Sequence, residues 1–119
     1  MQDFNVRPIY LKTVEELHQV ADALHISRAG QAIMAGKAFF CILQVDHVKP
    51  IAANILKQEL LARGGEAMVH ELVIVHGIEE SSCLLCGTEQ QLLSLAIKLK
   101  GQQFGLPALA VQIEEALAN

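Results

Sequence analysis

The stretch ANILKQELLARGGEA, residues 53–67, decides the fold. Just before it, Pro50 suits the first turn of a helix, where its missing N–H has no intrahelical partner to lose. From Ile51 to Arg63 nearly every residue is a good helix former, Asn54 being the weakest. Gly64 and Gly65 end the run, because glycine enters the left-handed conformation of a helix C-cap without steric penalty. At helical periodicity Ile51, Ala52, Ala53, Ile55, Leu56, Leu60 and Ala62 share one broad apolar arc, and Asn54, Lys57 and Gln58 lie opposite. Glu59 falls inside the arc, and Arg63 follows it one turn later. A glutamate four residues N-terminal to a cation favours an ion pair. The pair reads either as a structural link at the helix edge or as a polar group turned toward an interface or ligand.

On the N-terminal side, VRPIYL (residues 6–11) predicts a first strand, with Pro8 confining it to an edge or a bulge. Thr13 and Glu16 have capping-box spacing, opening a helix with an apolar stripe of Val14, Leu17, Val20, Ala21 and Leu24. Ser27 caps a short helix through Met34 that ends at Gly36. AFFCILQVDHV (residues 38–48) is the predicted central strand. Its first half is apolar on both sides, as for a strand covered on two faces.

On the C-terminal side, EAMVHELVIV (residues 66–75) predicts a strand with a bend near His70–Glu71. A turn at residues 77–82 leads to a short buried strand, CLLC (residues 83–86). Thr88 and Gln91 repeat the capping-box spacing before a stripe of Leu92, Leu95, Ala96 and Leu99. Gly101 breaks that helix, residues 104–106 turn a corner, and Pro107 starts a last helix through about Leu117. The expected order is β-α-(α)-β-α-β-β-α-α: an α/β (α+β) domain with a mixed sheet of about four strands and about four helices.

A chain of 119 residues is read as a single domain, residues 1–119. With 52% hydrophobic and 18% charged residues it is a globule and not a disordered chain. The net charge is −4 and the nine basic residues are scattered, which argues against nucleic-acid binding. No apolar run is long enough to span a bilayer, and the N-terminus lacks the pattern of a signal peptide, so a cytoplasmic location is expected. So few charges leave part of the surface apolar, available to a partner domain or to an oligomer.

Few residues suggest chemistry. Cys83 and Cys86 have CxxC spacing, but residues three apart in a strand point to opposite faces, so neither a metal site nor a cofactor is expected and no catalytic residue is assigned. Cys41 completes an odd count that argues against a disulfide framework. The five histidines, His18, His25, His47, His70 and His76, show no ligand-type clustering. Gly87-Thr88-Glu89 joins a strand to a helix and offers free N–H groups, although Thr88 already has a capping role. The candidate ligand-binding residues are therefore Asn54, Lys57, Gln58, Gly87 and Thr88. Glu59, Arg63, Gly64, Gly65 and Phe104 are assigned to structure or interface.

Residues 53–70 (ANILKQELLARGGEAMVH), 84–88 (LLCGT) and 98–110 (KLKGQQFGLPALA), with Lys37 after Ala35-Gly36, resemble the N-terminal extension that precedes the catalytic barrel in certain bacterial dihydropteroate synthases. The resemblance rests on Asn54, Lys57, Gln58, Glu59, Gly64, Gly65, Gly87, Thr88, Gln103, Phe104, Gly105 and Leu106. That family joins a pterin pyrophosphate to p-aminobenzoate in folate synthesis. Its catalytic barrel needs about 250 residues, and its catalytic loops have no counterpart here. The resemblance thus implies a non-catalytic accessory domain, packing on a synthase barrel or self-associating as a homo-oligomer. The alternative is a module that binds a pterin or a phosphate.

Overall fold

The computed structural model describes residues 2–73, 75 and 77–118; His76 lies outside the described residues. The backbone groups into two compact units, Met1–Ala35 and Gly36–Asn119.

In the first unit, residues 2–12 have no regular structure, so the strand predicted at 6–11 is absent. A strand is stabilised by a neighbouring strand, and none pairs with this segment. Helix α1 (Val14–Ala23) begins where expected, with the Thr13 hydroxyl accepting from the Glu16 N–H. Glu16 does not close the box on Thr13, because its carboxylate accepts from the Lys12 N–H instead. His25 closes α1 in the left-handed region at φ 60°, and its neighbour Ile26 donates back to the Ala21 carbonyl. Helix α2 (Arg28–Ala35) follows Ser27, whose hydroxyl accepts from the Gly30 N–H. Gln31 is buried between the two helices. Its amide donates to Asp22 Oδ1 and to the Ile26 carbonyl, and its oxygen is bonded to His18 Nδ1.

The second unit holds strand β1 (Phe40–Val48), helix α3 (Pro50–Ala62), strands β2 (Glu66–Met68) and β3 (Ser81–Thr88), and helices α4 (Glu89–Leu99) and α5 (Leu106–Ala118). The described residues form five helices and a three-stranded sheet in the order β1-β3-β2, antiparallel throughout. The α/β class holds, but the sheet has three strands in place of about four and is not mixed in direction.

Three local expectations change. β1 is an edge strand, and the central place belongs to β3, which is twice the predicted length because Ser81, Gly87 and Thr88 also pair with β1 and Ser82 lies between paired residues. The strand predicted at 66–75 ends at Met68, with a turn at residues 71–73. β1 also carries a bulge. Val45 pairs with Cys83 and Val48 with Ser81, so Asp46 and His47 face one residue on β3. His47 takes up the extra length at φ 60°.

The core lies on one face of the sheet. Leu43 and Val45 of β1, Ala67 of β2, and Cys83 and Leu85 of β3 point toward it, packed with Leu56 and Leu60 of α3, Leu92, Leu95 and Leu99 of α4, and Leu106 and Ile113 of α5. The predicted stripe of α4 is buried in full. Within α3, Ile51 and Ala62 fall at the exposed margin of the predicted arc, while Ala52, Ala53, Leu56 and Leu60 are buried.

Helix α3 ends in a Schellman motif: Gly65 N–H bonds to the Leu60 carbonyl and Gly64 N–H to the Leu61 carbonyl, with Gly64 at φ 86°. Gly65 has a second role. A Cβ there would lie 2.6 Å from the Cys86 carbonyl oxygen, so only glycine lets the turn approach β3 this closely. Gly65→Ala is therefore expected to destabilise the protein by about 1–3 kcal/mol, the cost of overpacking. Gly101→Ala, whose Cβ would meet nothing closer than 3.8 Å, is expected to stay within about 0.5 kcal/mol of wild type. Urea denaturation followed by circular dichroism checks both.

Candidate functional site

Two surfaces of the Gly36–Asn119 unit carry the predicted site residues or bear on function. The first is built around the junction of β3 and α4. Thr88 caps α4 through its hydroxyl, which accepts from the Gln91 N–H, and Gln91 Oε1 accepts in return from the Thr88 N–H. Gly87 makes this box possible, since a Cβ there would stand 2.8 Å from Gln91 Oε1. On the other side, a Cβ on Gly64 would stand 3.0 Å from Gln91 Nε2. The Gly64-Gly65 turn, Gly87, Thr88 and Gln91 are thus one closely fitted cluster.

Arg63 ties this cluster to α3. Its Nε donates to Ser94 Oγ at 2.9 Å, and its Nη1 donates to the Glu59 carbonyl at 2.9 Å and to Glu59 Oε1 at 3.4 Å. The side chains of Arg63 and Glu59 are only 22% and 20% exposed, which places the pair among half-buried structural links. The guanidinium also satisfies a carbonyl that the end of the helix leaves free. A depression of about 380 Å³ opens beside it, lined by Lys37, Arg63, Thr88, Gln90, Gln91 and Ser94.

Lys57 does not line this depression. Its Nζ lies 3.5 Å from Glu66 Oε1 at the start of β2. Asn54 is half-buried and Gln58 exposed on the same helix. Thr88 therefore shares a depression with Arg63 and Lys37 in place of the Asn54–Lys57–Gln58 face, and Gly87 lies against Gln91. Ser94 was not anticipated. It follows Gln91 by three residues on the same helical face, and a polar residue set among Leu92, Leu93, Leu95 and Ala96 was the available signal. Phe104 is half-exposed at φ 60° in the corner before α5, followed by Gly105 at φ 77°, and lines a separate depression with Asp46, His47 and Val48.

The second surface is the sheet face turned away from the core. Pairing sets Ile42, Cys86 and Glu66 side by side, and likewise Gln44, Leu84 and Met68. With Phe40, the apolar members Ile42, Leu84, Cys86 and Met68 give this face its apolar character: Phe40 is 68% exposed, and Ile42 and Met68 are each 59% exposed. Helices α3, α4 and α5 pack on the opposite face, and Phe40 and Ile42 are exposed on this one, so β1 is not covered on two sides as its composition suggested. Cys86 belongs to this outer face and Cys83 to the core, so the CxxC thiols point apart as predicted.

The bulged end of β1 is polar. Asp46 accepts from Ser82 Oγ at 2.6 Å and from Gln44 Nε2 at 3.1 Å, and these bonds hold its carboxyl below the ordinary value of 3.8. His47 Nδ1 lies 2.9 Å from Glu80 Oε1, and bonding to that carboxylate raises the imidazole above 6.5. Burial, then the charges of Asp46 and Cys86, push the Cys83 thiol up to about 11. Among the described residues no cluster of three His, Cys, Asp or Glu could hold a metal ion, and no helix is long and apolar enough to cross a membrane.

The chain is similar to the probable bifunctional folylpolyglutamate synthase/dihydropteroate synthase of Halobacterium salinarum, with 32% identity over 107 residues. The similarity takes in 87% of this chain but spans only 13% of the length of that relative. No protein-family model matches the chain, and no solved structure matches it.

Glu80→Gln is expected to bring the His47 titration back toward 6.5, read by NMR of the ring protons. Because the folded value is raised, the His47–Glu80 pair contributes fully below pH 6.5 and fades as pH rises through the raised value. Cys83 is expected to resist iodoacetamide at pH 8 in the folded protein and to react once urea exposes it, as mass spectrometry of the alkylated peptides would record.

Proposed function

We propose that this chain is a non-catalytic interaction domain of the folate pathway, acting by packing on a dihydropteroate synthase barrel or on itself. The observation that carries this reading is the apolar sheet face. Three helices leave it uncovered, and Phe40, Ile42 and Met68 stand together on it. Monomeric proteins seldom expose contiguous apolar surface unless it docks something. The folate pathway enters through the similarity to the bifunctional synthase, and the small share of that protein which the chain spans fits a module of a larger assembly.

A second reading, a module that binds a pterin or phosphate, draws on the depression beside Thr88. Lys37 and Arg63 flank it at the amino end of α4, where helix N–H groups favour an anion. Lys37 has no ion-pair partner among the described residues, whereas Arg63 is already matched by Glu59. Lys57, Asn54 and Gln58 would contribute from a neighbouring face only.

Sedimentation velocity, of the chain alone and mixed with a dihydropteroate synthase from the same organism, tests the first reading. Self-association or co-sedimentation is expected, and a chain that stays monomeric and ignores the synthase would overturn it. Thermal shift tests the second. A rise in melting temperature with pyrophosphate or a pterin, lost in Lys37→Ala, supports it, and no shift at millimolar ligand removes it.

A further inference from the structure

We infer that residues 4–11 of one copy of this chain add as a strand to the open edge of β1 in a second copy. This deepens the proposed interaction function and rests on it, by naming one partner and one contact.

Two independent features point to each other. The first is the edge. β1 offers nine residues whose outer side is unpaired among the described residues, and strand edges of this kind are templates for another strand. The usual protections are missing along most of β1: it has no proline and no lysine, and its bulge lies at its far end, at Asp46–His47. Beside the edge on the core side runs a groove between β1 and α5. It comprises two adjoining depressions of about 440 and 510 Å³, with Leu43, Val45, Leu109, Gln112, Ile113 and Ala116 on its walls. On the other side of the edge lie Phe40 and Ile42, both exposed.

The second feature is the segment FNVRPIYL, residues 4–11. Its composition is that of a strand, yet it has no partner strand among the described residues and most of its apolar side chains are in solvent. Phe4, Val6, Ile9 and Tyr10 are exposed, Val6 at 93%. As an extended chain it would place Phe4, Val6, Pro8 and Tyr10 on one side and Asn5, Arg7, Ile9 and Leu11 on the other. The apolar side suits the groove wall of Leu43, Val45, Leu109, Ile113 and Ala116, and the mixed side, through Ile9 and Leu11, suits the Phe40–Ile42 row of the sheet. Its eight residues match the nine of β1.

Pro8 is compatible with the arrangement. Successive N–H groups of a strand point to opposite edges, so if Pro8 faces away, the N–H groups of Arg7, Ile9 and Leu11 face β1. Main-chain bonds would supply affinity and the alternating side chains specificity, as in other cases of strand addition.

Sedimentation velocity across a concentration series, on the full chain and on a chain lacking residues 2–11, tests the inference. The full chain is expected to dimerise and the shortened chain to be monomeric with unchanged circular dichroism. Ile9→Asp in the full chain covers the case in which the shortened chain fails to fold, and is expected to weaken dimerisation by about tenfold or more, the effect of losing an interface anchor. In a mixed sample of isotope-labelled and unlabelled chains, NMR contacts are expected between Ile9 or Tyr10 of one copy and β1 of the other. A monomeric full chain, or a dimer unaffected by both changes, overturns the inference. A monomer that still binds the synthase overturns it while leaving the proposed interaction function standing.

Discussion

The fold depends on how closely the end of α3 approaches the middle of β3. Gly65 sits against the Cys86 carbonyl where no side chain fits, and Gly64 supplies the left-handed turn that brings it there. Given that approach, β2 pairs with β3 from Glu66 onward, Ala67 enters the core beside Leu85, and Leu56 and Leu60 reach the same layer. The approach also presses the Gly64 turn toward Gln91, which is fixed by its reciprocal bonds to Thr88. Arg63 completes the junction by holding Ser94 of α4 and the Glu59 carbonyl of α3 together. Two helices and a strand are thus locked at one point by glycines, a capping box and a guanidinium.

The legible parts of this arrangement were those encoded within one turn of chain. The Thr88–Gln91 box, the Gly64 cap, the Ser27 cap and the Leu92–Leu99 stripe each depend on residues three or four apart, and each formed as read. The strands were less legible because their lengths are set by distant partners. Residues 69–73 have strand composition but pair with no strand among the described residues, and Ser81 lacks it but is paired by β1. The FFCIL run at residues 39–43 illustrates the ambiguity: apolar residues on both sides of a strand read alike whether helices, another chain or nothing covers the second face.

The candidate site was legible in part for the same reason. Glu59 and Arg63 could be paired from their spacing, and the place of Glu59 inside an apolar arc was consistent with the half-buried link they form. That Arg63 would reach Ser94, thirty-one positions along the chain, could not be read locally. Lys57 was grouped with Gly87 and Thr88 as a candidate ligand residue, but its ammonium is paired with Glu66. A cation on a helix face takes the nearest carboxylate, and the carboxylate here arrives only through the Gly64-Gly65 turn.

The two edges of the sheet are treated unequally. β2 is three residues long, too short to template another strand, and it opens with a glutamate held by Lys57. β1 is three times longer and nearly uncharged until its bulge, where Asp46 and the His47–Glu80 pair begin. Evolved edges that must remain solvent-exposed are usually shortened, bulged or charged along their length. Here those devices protect one edge fully and the other only at its end. The same end carries the polar part of the outer sheet face, Gln44, Asp46 and Ser82, while the apolar part surrounds Phe40 and Ile42. Polarity along β1 therefore divides the strand into a stretch suited to water and a stretch suited to burial. A boundary of this kind follows from a surface shaped for contact over part of its length, since burial in the monomer's own core would not require the outer face to change character midway along the strand.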